Sequence, residues 1–346
     1  MRARPHAQVL RRLGSRGWVA VAWGQPNGTG QGTQAKFAEG EDEFRDRVDA
    51  PHRGMDSKPL SVLVTGSSGF IGSHVVRQLH AAGHRVTALD IHKPKFPLPD
   101  GVEFRQCDIR QDHFPNRIFD AVVHLAALAG VRPSMTHPLG YHQTNVNGTL
   151  RLLEYCRSMG VPHFVFASSS GVYGPSSPLP FTEDGPTDPC SPYALTKLIG
   201  EQWGRLYARL HDLRFVALRF FSVWGPGQRP DLALEAFSRG IAAGLPVVIN
   251  GDGNQRRDLT HVSDVARAVE LALRWPGPGS VVLNVGTGRN HSVLDMAKAA
   301  AKTATPPVEF QAAHPADVPE TLASITAVGA QLGWQPRIFF PDGPIS

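Results

Sequence analysis

Tyr193 and Lys197 stand four residues apart in Ser191-Pro192-Tyr193-Ala194-Leu195-Thr196-Lys197. Serine before proline reads as a helix start: the hydroxyl caps a free N–H, and proline suits the first turn, where its missing N–H is no loss. Four residues on, one helical turn brings the phenol and the ammonium to the same face. A phenol ordinarily ionises at about pH 10. A neighbouring positive charge favours the phenolate, and a phenolate formed near neutral pH is a usable general base. A second polar cluster, Ala167-Ser168-Ser169-Ser170-Gly171-Val172-Tyr173-Gly174, follows an apolar run. Serines at the carboxyl end of a strand can hydrogen-bond a substrate hydroxyl beside such a base. Together the two clusters predict proton abstraction from an alcohol.

The seat for a partner to that chemistry lies upstream. Val62-Leu63-Val64-Thr65-Gly66-Ser67-Ser68-Gly69-Phe70-Ile71-Gly72 is an apolar run meeting three glycines, with a helical pattern after it. Gly66 permits the tight turn, Gly69 lets backbone approach a pyrophosphate, and Gly72 lets the helix pack close to the strand. The N–H groups opening the helix, around Phe70 and Ile71, would hold the phosphates. A lone glycine triplet is weak; an acid about 20 residues on completes the pattern. Arg85-Val86-Thr87-Ala88-Leu89-Asp90 supplies a second strand ending in that acid. A carboxylate at Asp90 accepts from the ribose hydroxyls and repels a 2′-phosphate, so the cofactor predicted is NAD rather than NADP. Its positive nicotinamide ring would add to the pull on the Tyr193 proton. Asp108 and Ile109, after a short strand, are placed against the adenine edge. Leu125, Ala126 and Ala127, closing His124-Leu-Ala-Ala, are small enough to let backbone pass beside the cofactor.

The elements that must position these residues alternate. Strands are predicted near 61–65, 85–89, 102–105, 120–124, 163–167 and 215–219, with helices near 70–82, 142–159 and 192–211. That alternation predicts an α/β fold, a Rossmann-type doubly wound parallel sheet with helices on both faces. Residues 55–225 form this domain. From 226 to 346 proline and glycine are frequent. Strands at 246–249 and 281–284, with helices near 231–243, 263–274 and 292–301, suggest a smaller substrate lobe closing over the carboxyl edge of the sheet. Residues 1–54 differ in kind. They hold nine basic and six acidic residues and the low-complexity run Gly24–Gly32, and cannot build a core. They read as a disordered extension or an upstream start assigned in error, with a transit peptide as the weaker alternative.

Totals exclude some functions. Of 346 residues 41% are hydrophobic, enough for a real core. The net charge of +5 lies mostly in the first 54 residues. No basic run interleaves with aromatics, so nucleic acid is not an expected partner. No apolar stretch approaches the roughly 18 residues of a membrane span. Cys107, Cys156 and Cys190 are scattered, odd in number and without metal spacing; they predict reduced thiols, a cytoplasmic compartment and no metal site.

Taken in order, Thr65-Gly-x-x-Gly69-x-x-Gly72, Asp90, Asp108, His124-Leu-Ala-Ala127, Asn145-Val-x-Gly-Thr149, Ser168-Ser169, Tyr193-x-x-x-Lys197 and Arg257-Asp258 resemble the extended short-chain dehydrogenase/reductase family, in its branch of NAD-dependent nucleotide-sugar epimerases and dehydratases. The resemblance runs from about residue 60 almost to the end. It implies that Ser169 is the catalytic serine, that Asn145 supports the catalytic helix and a water relay, and that Arg257 meets the pyrophosphate of a UDP-sugar, with Asp264 structural. It implies a mechanism in which Tyr193 takes the sugar 4-hydroxyl proton while Ser169 holds that oxygen, carbon 4 gives hydride to NAD⁺, and the keto sugar turns and takes hydride back on its other face. Relatives that eliminate or decarboxylate carry an acid two residues after the catalytic Ser/Thr. Gly171 stands there, which points to plain epimerisation.

Two stretches narrow the resemblance to UDP-glucuronate 4-epimerases: Ala129-Gly130-Val131-Arg132-Pro133-Ser134, and Arg219-Phe220-Phe221-Ser222-Val223-Trp224-Gly225-Pro226 with Arg229-Pro230-Asp231 after it. The resemblance places Arg132 at the substrate and gives Ser222 and Arg229 the sugar carboxylate, which a guanidinium suits. UDP-glucose/UDP-galactose 4-epimerase is the alternative, though its members commonly have Asn at the place of Ser222 and Arg near His314. A non-catalytic NAD-binding sensor or scaffold is the alternative of another class, and an NADP-dependent keto-sugar reductase is disfavoured by Asp90. The resemblance also implies a homodimer built on the 142–159 and 192–211 helices. It would continue past Leu332-Gly333-Trp334 into another helix, so the lobe is expected to be truncated.

Overall fold

A computed structural model of the chain describes residues 58–111, 114–301, 306–313, 317–343 and 345, together with the short antiparallel pair Arg11–Arg12 and Trp18–Val19. The rest of the N-terminal extension, the 302–305 segment and His314 lie outside the described residues, and with them the expectations placed there.

The first strand, β1 (Ser61–Thr65), is the apolar run before the glycine turn, and Val62, Leu63 and Val64 are fully buried. A strand covered on both faces needs no polar alternation. Helix α1 (Phe70–Ala81) buries Gly72, Val75, Val76 and Leu79, a helical stripe facing the sheet. The chain continues through β2 (Arg85–Asp90), β3 (Glu103–Gln106) and β4 (Ala121–His124). Helix α2 (Gly148–Met159) then leads to β5 (His163–Ser169). Helix α3 (Pro192–His211) and β6 (Arg214–Phe220) complete the part predicted from alternation.

Later elements are β7 (Ser222–Trp224), α4 (Ala233–Ala242), β8 (Val247–Asn250), β9 (Arg256–His261), α5 (Val262–Ala272), β10 (Ser280–Val285), β11 (Asn290–Ser292), α6 (Val293–Ala301), β12 (Val308–Gln311) and α7 (Thr326–Leu332). Seven strands form one parallel sheet in the order β10-β6-β5-β4-β1-β2-β3. The order reverses between β1 and β4, and ligands of open α/β sheets bind at such a switch, outside the carboxyl ends. Side chains of β1 alternate between two cores. Val62 and Val64 pack with α1 and α5, while Leu63 packs with the α2 and α3 side. Helix α3 lies unusually close to the sheet: a Cβ on Gly200 would come within 2.4 Å of the Phe166 ring, and one on Gly204 within 2.0 Å of Phe215. The catalytic helix therefore rests directly on β5 and β6.

Three findings differ from the sequence reading. The strand expected at 281–284 in the smaller lobe is β10, and it belongs to the main sheet beside β6. The helix expected over 142–159 is a π-helical turn, His142–Asn147, followed by α2. Short strands went unread: β9 pairs with β7 and β11, and β12 pairs with β8. Among the described residues no helix is long and apolar enough to cross a membrane.

Candidate active site

A cavity of about 790 Å³ opens along the switch point. Its first wall is the glycine turn. Gly66 has a φ of +72°, and a Cβ there would come within 2.5 Å of the Ala126 nitrogen. A Cβ on Gly72 would lie 2.0 Å from the Gly66 carbonyl oxygen. Only glycine lets strand, turn and helix meet so closely. Gly69, Phe70 and Ile71 line the cavity at the start of α1, which no described side chain caps. Its first N–H groups remain available for an anion. Asp90 ends β2 with both oxygens held by backbone: Oδ2 accepts from Ser68 N–H at 2.9 Å and Oδ1 from His92 N–H at 2.8 Å. Ile109, Leu125, Ala126 and Ala127 line the same half. Glycine cradle, uncapped helix and fixed carboxylate fit a dinucleotide. Asp108 also lines the cavity, but its carboxylate is forked by Arg110, which holds its pKa below the usual carboxylate range.

The second wall carries the acid–base groups. Ser191 Oγ accepts from Ala194 N–H at 3.2 Å with Pro192 following, the helix start read from the sequence. Tyr193 is half-buried and faces the cavity, as do Lys197 and Ser169. Ser169 is the last residue of β5, two places beyond the end predicted for that strand, and its Oγ accepts from Gly171 N–H at 3.1 Å. Burial pushes the Tyr193 pKa above its ordinary value, with a smaller push from Tyr141; the Ser169 hydroxyl and the Arg229 guanidinium pull it down. Lys197 also makes a contact that the sequence reading did not foresee. Its Nζ donates to the Ala167 carbonyl at 2.8 Å and sits 5.8 Å from the Tyr193 ring centre, while burial brings its own pKa down to about 8.

Asn145, in the π-helical turn, is a tether. Its Oδ1 accepts from Leu128 N–H at 2.8 Å, and its Nδ2 donates to the Leu128 carbonyl and to Thr196 Oγ1, both at 3.0 Å. It joins the cofactor-side loop to the catalytic helix without itself lining the cavity.

The third wall comes from the later chain. Ser222, Arg229 and Arg257 all line the cavity. Arg229 Nε and Nη2 fork onto Asp231 at 2.9 Å each, and its charge reaches both Tyr193 and Tyr141. Burial lowers the Arg257 pKa, Asp317 opposing the shift. Neighbouring Asp258 is structural: it accepts from Thr287, Gly288 and Ala323 N–H groups at 2.7–3.0 Å and pins β9. Asp264 likewise accepts from the Arg337 and Ile338 backbone. Arg132 is not brought to the cavity wall; it pairs with Asp317 at 3.0 Å.

Residues 62–286 match the NAD dependent epimerase/dehydratase family. The chain belongs to that family, and NAD is its cofactor. The enzyme is 35% identical over 304 residues to the UDP-glucuronate 4-epimerase of Thermodesulfobacterium geofontis, spanning 81% of this chain and 93% of that one. The solved structure of MoeE5 in complex with UDP-glucuronic acid and NAD is 41% identical, with a TM-score of 0.76, covering 82% of this chain and 96% of that one. The UDP-glucose 4-epimerase of Thermus thermophilus in complex with NAD is 34% identical, with a TM-score of 0.75 and coverage of 82% and 96%.

Several residues of the enzyme's site escaped the sequence reading. Ser68 holds Asp90 through its N–H, which any residue in the turn could supply. Lys95 and Arg110 bring positive charge to the nucleotide half. Tyr141 donates its hydroxyl to the Ala129 carbonyl at 2.9 Å and packs edge-on against Tyr193, ring centres 6.3 Å apart; no spacing signals that contact. Asp231 was visible as an acid two residues after Arg229.

Proposed function

We propose that the enzyme interconverts the C4 epimers of a UDP-hexuronic acid, UDP-glucuronate and UDP-galacturonate. The observation that carries this is Arg229, a guanidinium lining the same cavity as Tyr193 and Ser222. A sugar whose 4-hydroxyl meets Tyr193 has its C5 substituent one carbon away, so a carboxylate there falls within reach of that cation and of the Ser222 hydroxyl. The absence of an acid at Gly171 supports epimerisation over elimination. Among described residues the cavity-lining acids are Asp90 and Asp108 in the nucleotide half, and Asp317, paired with Arg132.

In this reading Ser169 donates to or accepts from the 4-oxygen and holds it, and Tyr193 removes its proton. Lys197 holds the Ala167 carbonyl, and its ammonium on the Tyr193 face favours the phenolate. Arg257 takes the diphosphate. NAD, when bound, supplies the reversible oxidation at carbon 4. Tyr193 then returns the proton to the oxygen of the opposite epimer, so no proton is lost over the cycle. The alternative substrate is UDP-glucose, and one observation favours it: Asp231 already neutralises Arg229. MoeE5 has been solved with either sugar nucleotide. Incubation with UDP-glucuronate and UDP-glucose separately, with products identified by NMR, decides. UDP-galacturonate is expected; conversion of UDP-glucose alone would overturn the proposal. We propose further that two chains pair through α2 and α3, where Leu195 and Leu210 are exposed; light scattering should give twice the chain mass, and a monomer would refute it.

A further inference from the structure

Beneath the cavity lies an ion pair sealed from water. Glu201 and Arg219 have side-chain exposures of 0% and 2%, and bond through Arg219 Nε to Oε1 at 2.9 Å and Nη2 to Oε2 at 2.8 Å. Such pairs are poor stabilisers, since desolvating two charges offsets most of their attraction and apolar side chains often serve as well. Neither side chain is among those lining the cavity. What the pair holds is informative.

Glu201 lies eight residues after Tyr193 and four after Lys197, on one stripe of α3. Its Oε1 also accepts from Ser168 Oγ. Consecutive turns of the catalytic helix therefore grip consecutive residues of β5: Lys197 takes the Ala167 carbonyl, and Glu201 takes the Ser168 hydroxyl. The next residue is Ser169. Arg219 stands opposite Ser168 on the neighbouring strand β6. Its guanidinium also covers the Tyr173 ring, 4.7 Å from the centre, and Nη1 donates to the Glu183 carbonyl at 3.3 Å. Tyr173 follows the turn that begins at Ser169, and its hydroxyl is fixed on Asn284 Oδ1 at 2.6 Å. The buried pair thus reaches the chain on both sides of Ser169.

We propose that Glu201 and Arg219 are positioning residues, which lock the end of β5 to α3 and so keep the Ser169 hydroxyl in register with Tyr193. Apolar side chains could fill the same volume, but they could not direct the Ser168 hydroxyl. The inference rests on Ser169 and Tyr193 being the catalytic pair.

The test compares Ser168→Ala, the double variant Glu201→Met/Arg219→Met and Tyr193→Phe in the NAD-loaded enzyme. It reads the thermal midpoint, kcat, KM for the UDP-sugar and the pH dependence of kcat/KM. Ser168→Ala removes one tie and leaves the ion pair intact. It is expected to fold normally and lose about tenfold in kcat, the worth of one hydrogen bond, with KM little changed. Its ascending pH limb should also move upward. The groups facing Tyr193 are Ser169, Arg229, Tyr141 and Lys197, and of these only Ser169 would shift, taking away a bond that favours the phenolate. The double variant should keep its thermal midpoint and lose kcat in the same way. Full kcat with an unshifted limb in folded Ser168→Ala would overturn the clamp while Tyr193→Phe remains inactive. Turnover by Tyr193→Phe would overturn the catalytic assignment itself, and the clamp with it.

Discussion

Replacing Arg229 by alanine separates the two substrates that the site could take. In the free enzyme the Nε and Nη2 edge of the guanidinium is spent on Asp231, so a substrate carboxylate would meet the Nη1 edge. A hydrogen bond to a charged group contributes about 1.5–3 kcal/mol. Two unit charges about 4 Å apart attract by about 4 kcal/mol at an effective dielectric of about 20, but Asp231 opposes much of that. A net loss of about 2–3 kcal/mol for UDP-glucuronate follows, or roughly 30- to 150-fold in kcat/KM. UDP-glucose has no carboxylate to lose. It should still suffer somewhat, because Arg229 helps to lower the Tyr193 pKa and its removal raises that pKa for either sugar. The discriminating quantity is therefore the ratio of the two kcat/KM values, measured from initial rates by NMR at a pH high enough for both enzymes to be on their plateau. A ratio that falls roughly 30-fold or more supports the carboxylate role. Equal losses for both sugars would falsify it and leave Arg229 as a modulator of the base.

Asp231→Asn should act in the opposite direction: neutralising the partner frees one positive charge, and preference for UDP-glucuronate over UDP-glucose should rise roughly tenfold. A fall in preference would mean that Asp231 matters for aiming Arg229 rather than for balancing its charge. Gly72→Ala would drive a methyl into the Gly66 carbonyl, 2.0 Å away; a loss of about 1–3 kcal/mol or more is expected, together with NAD lost during purification, and a variant that keeps both would contradict the tight-turn argument. Stability should fall in mild acid. Burial lowers the pKa of His124 to about 3 and of His163 to about 4, while the unfolded chain takes up protons below about 6.5. The stability is complete above that pH and is lost as pH falls toward the folded values, by about 2 kcal/mol for each histidine at about pH 5. Denaturant midpoints at about pH 8 and pH 5 check this; His163→Asn should remove about 2 kcal/mol of the difference, and a flat response would refute it.

What the sequence displayed and what it concealed divide along one physical line. The glycine turn, Asp90 and the Tyr193–Lys197 face are local: each follows from the conformation of a few consecutive residues, and each lies where spacing placed it. Interactions between distant residues were not legible. Strand β10 reads as any lobe strand until its pairing with β6 is known, since sheet order is a tertiary property. Strand β9, Arg256–His261, is too polar to signal a strand, and its Asp258 is tolerated there because backbone N–H groups from residues 287, 288 and 323 receive it. Spacing puts Lys197 on the Tyr193 face, but it does not show that its Nζ also meets the Ala167 carbonyl of β5. Glu201 makes the same point. An acid one further turn along α3 reads as an ordinary solvated helix residue; what distinguishes it is Arg219, whose position opposite Ser168 depends on β5 and β6 pairing in this register. The precision of the proton transfer thus depends on a contact between strands, and Ser168→Ala should reveal it even though alanine leaves the helix pattern unchanged.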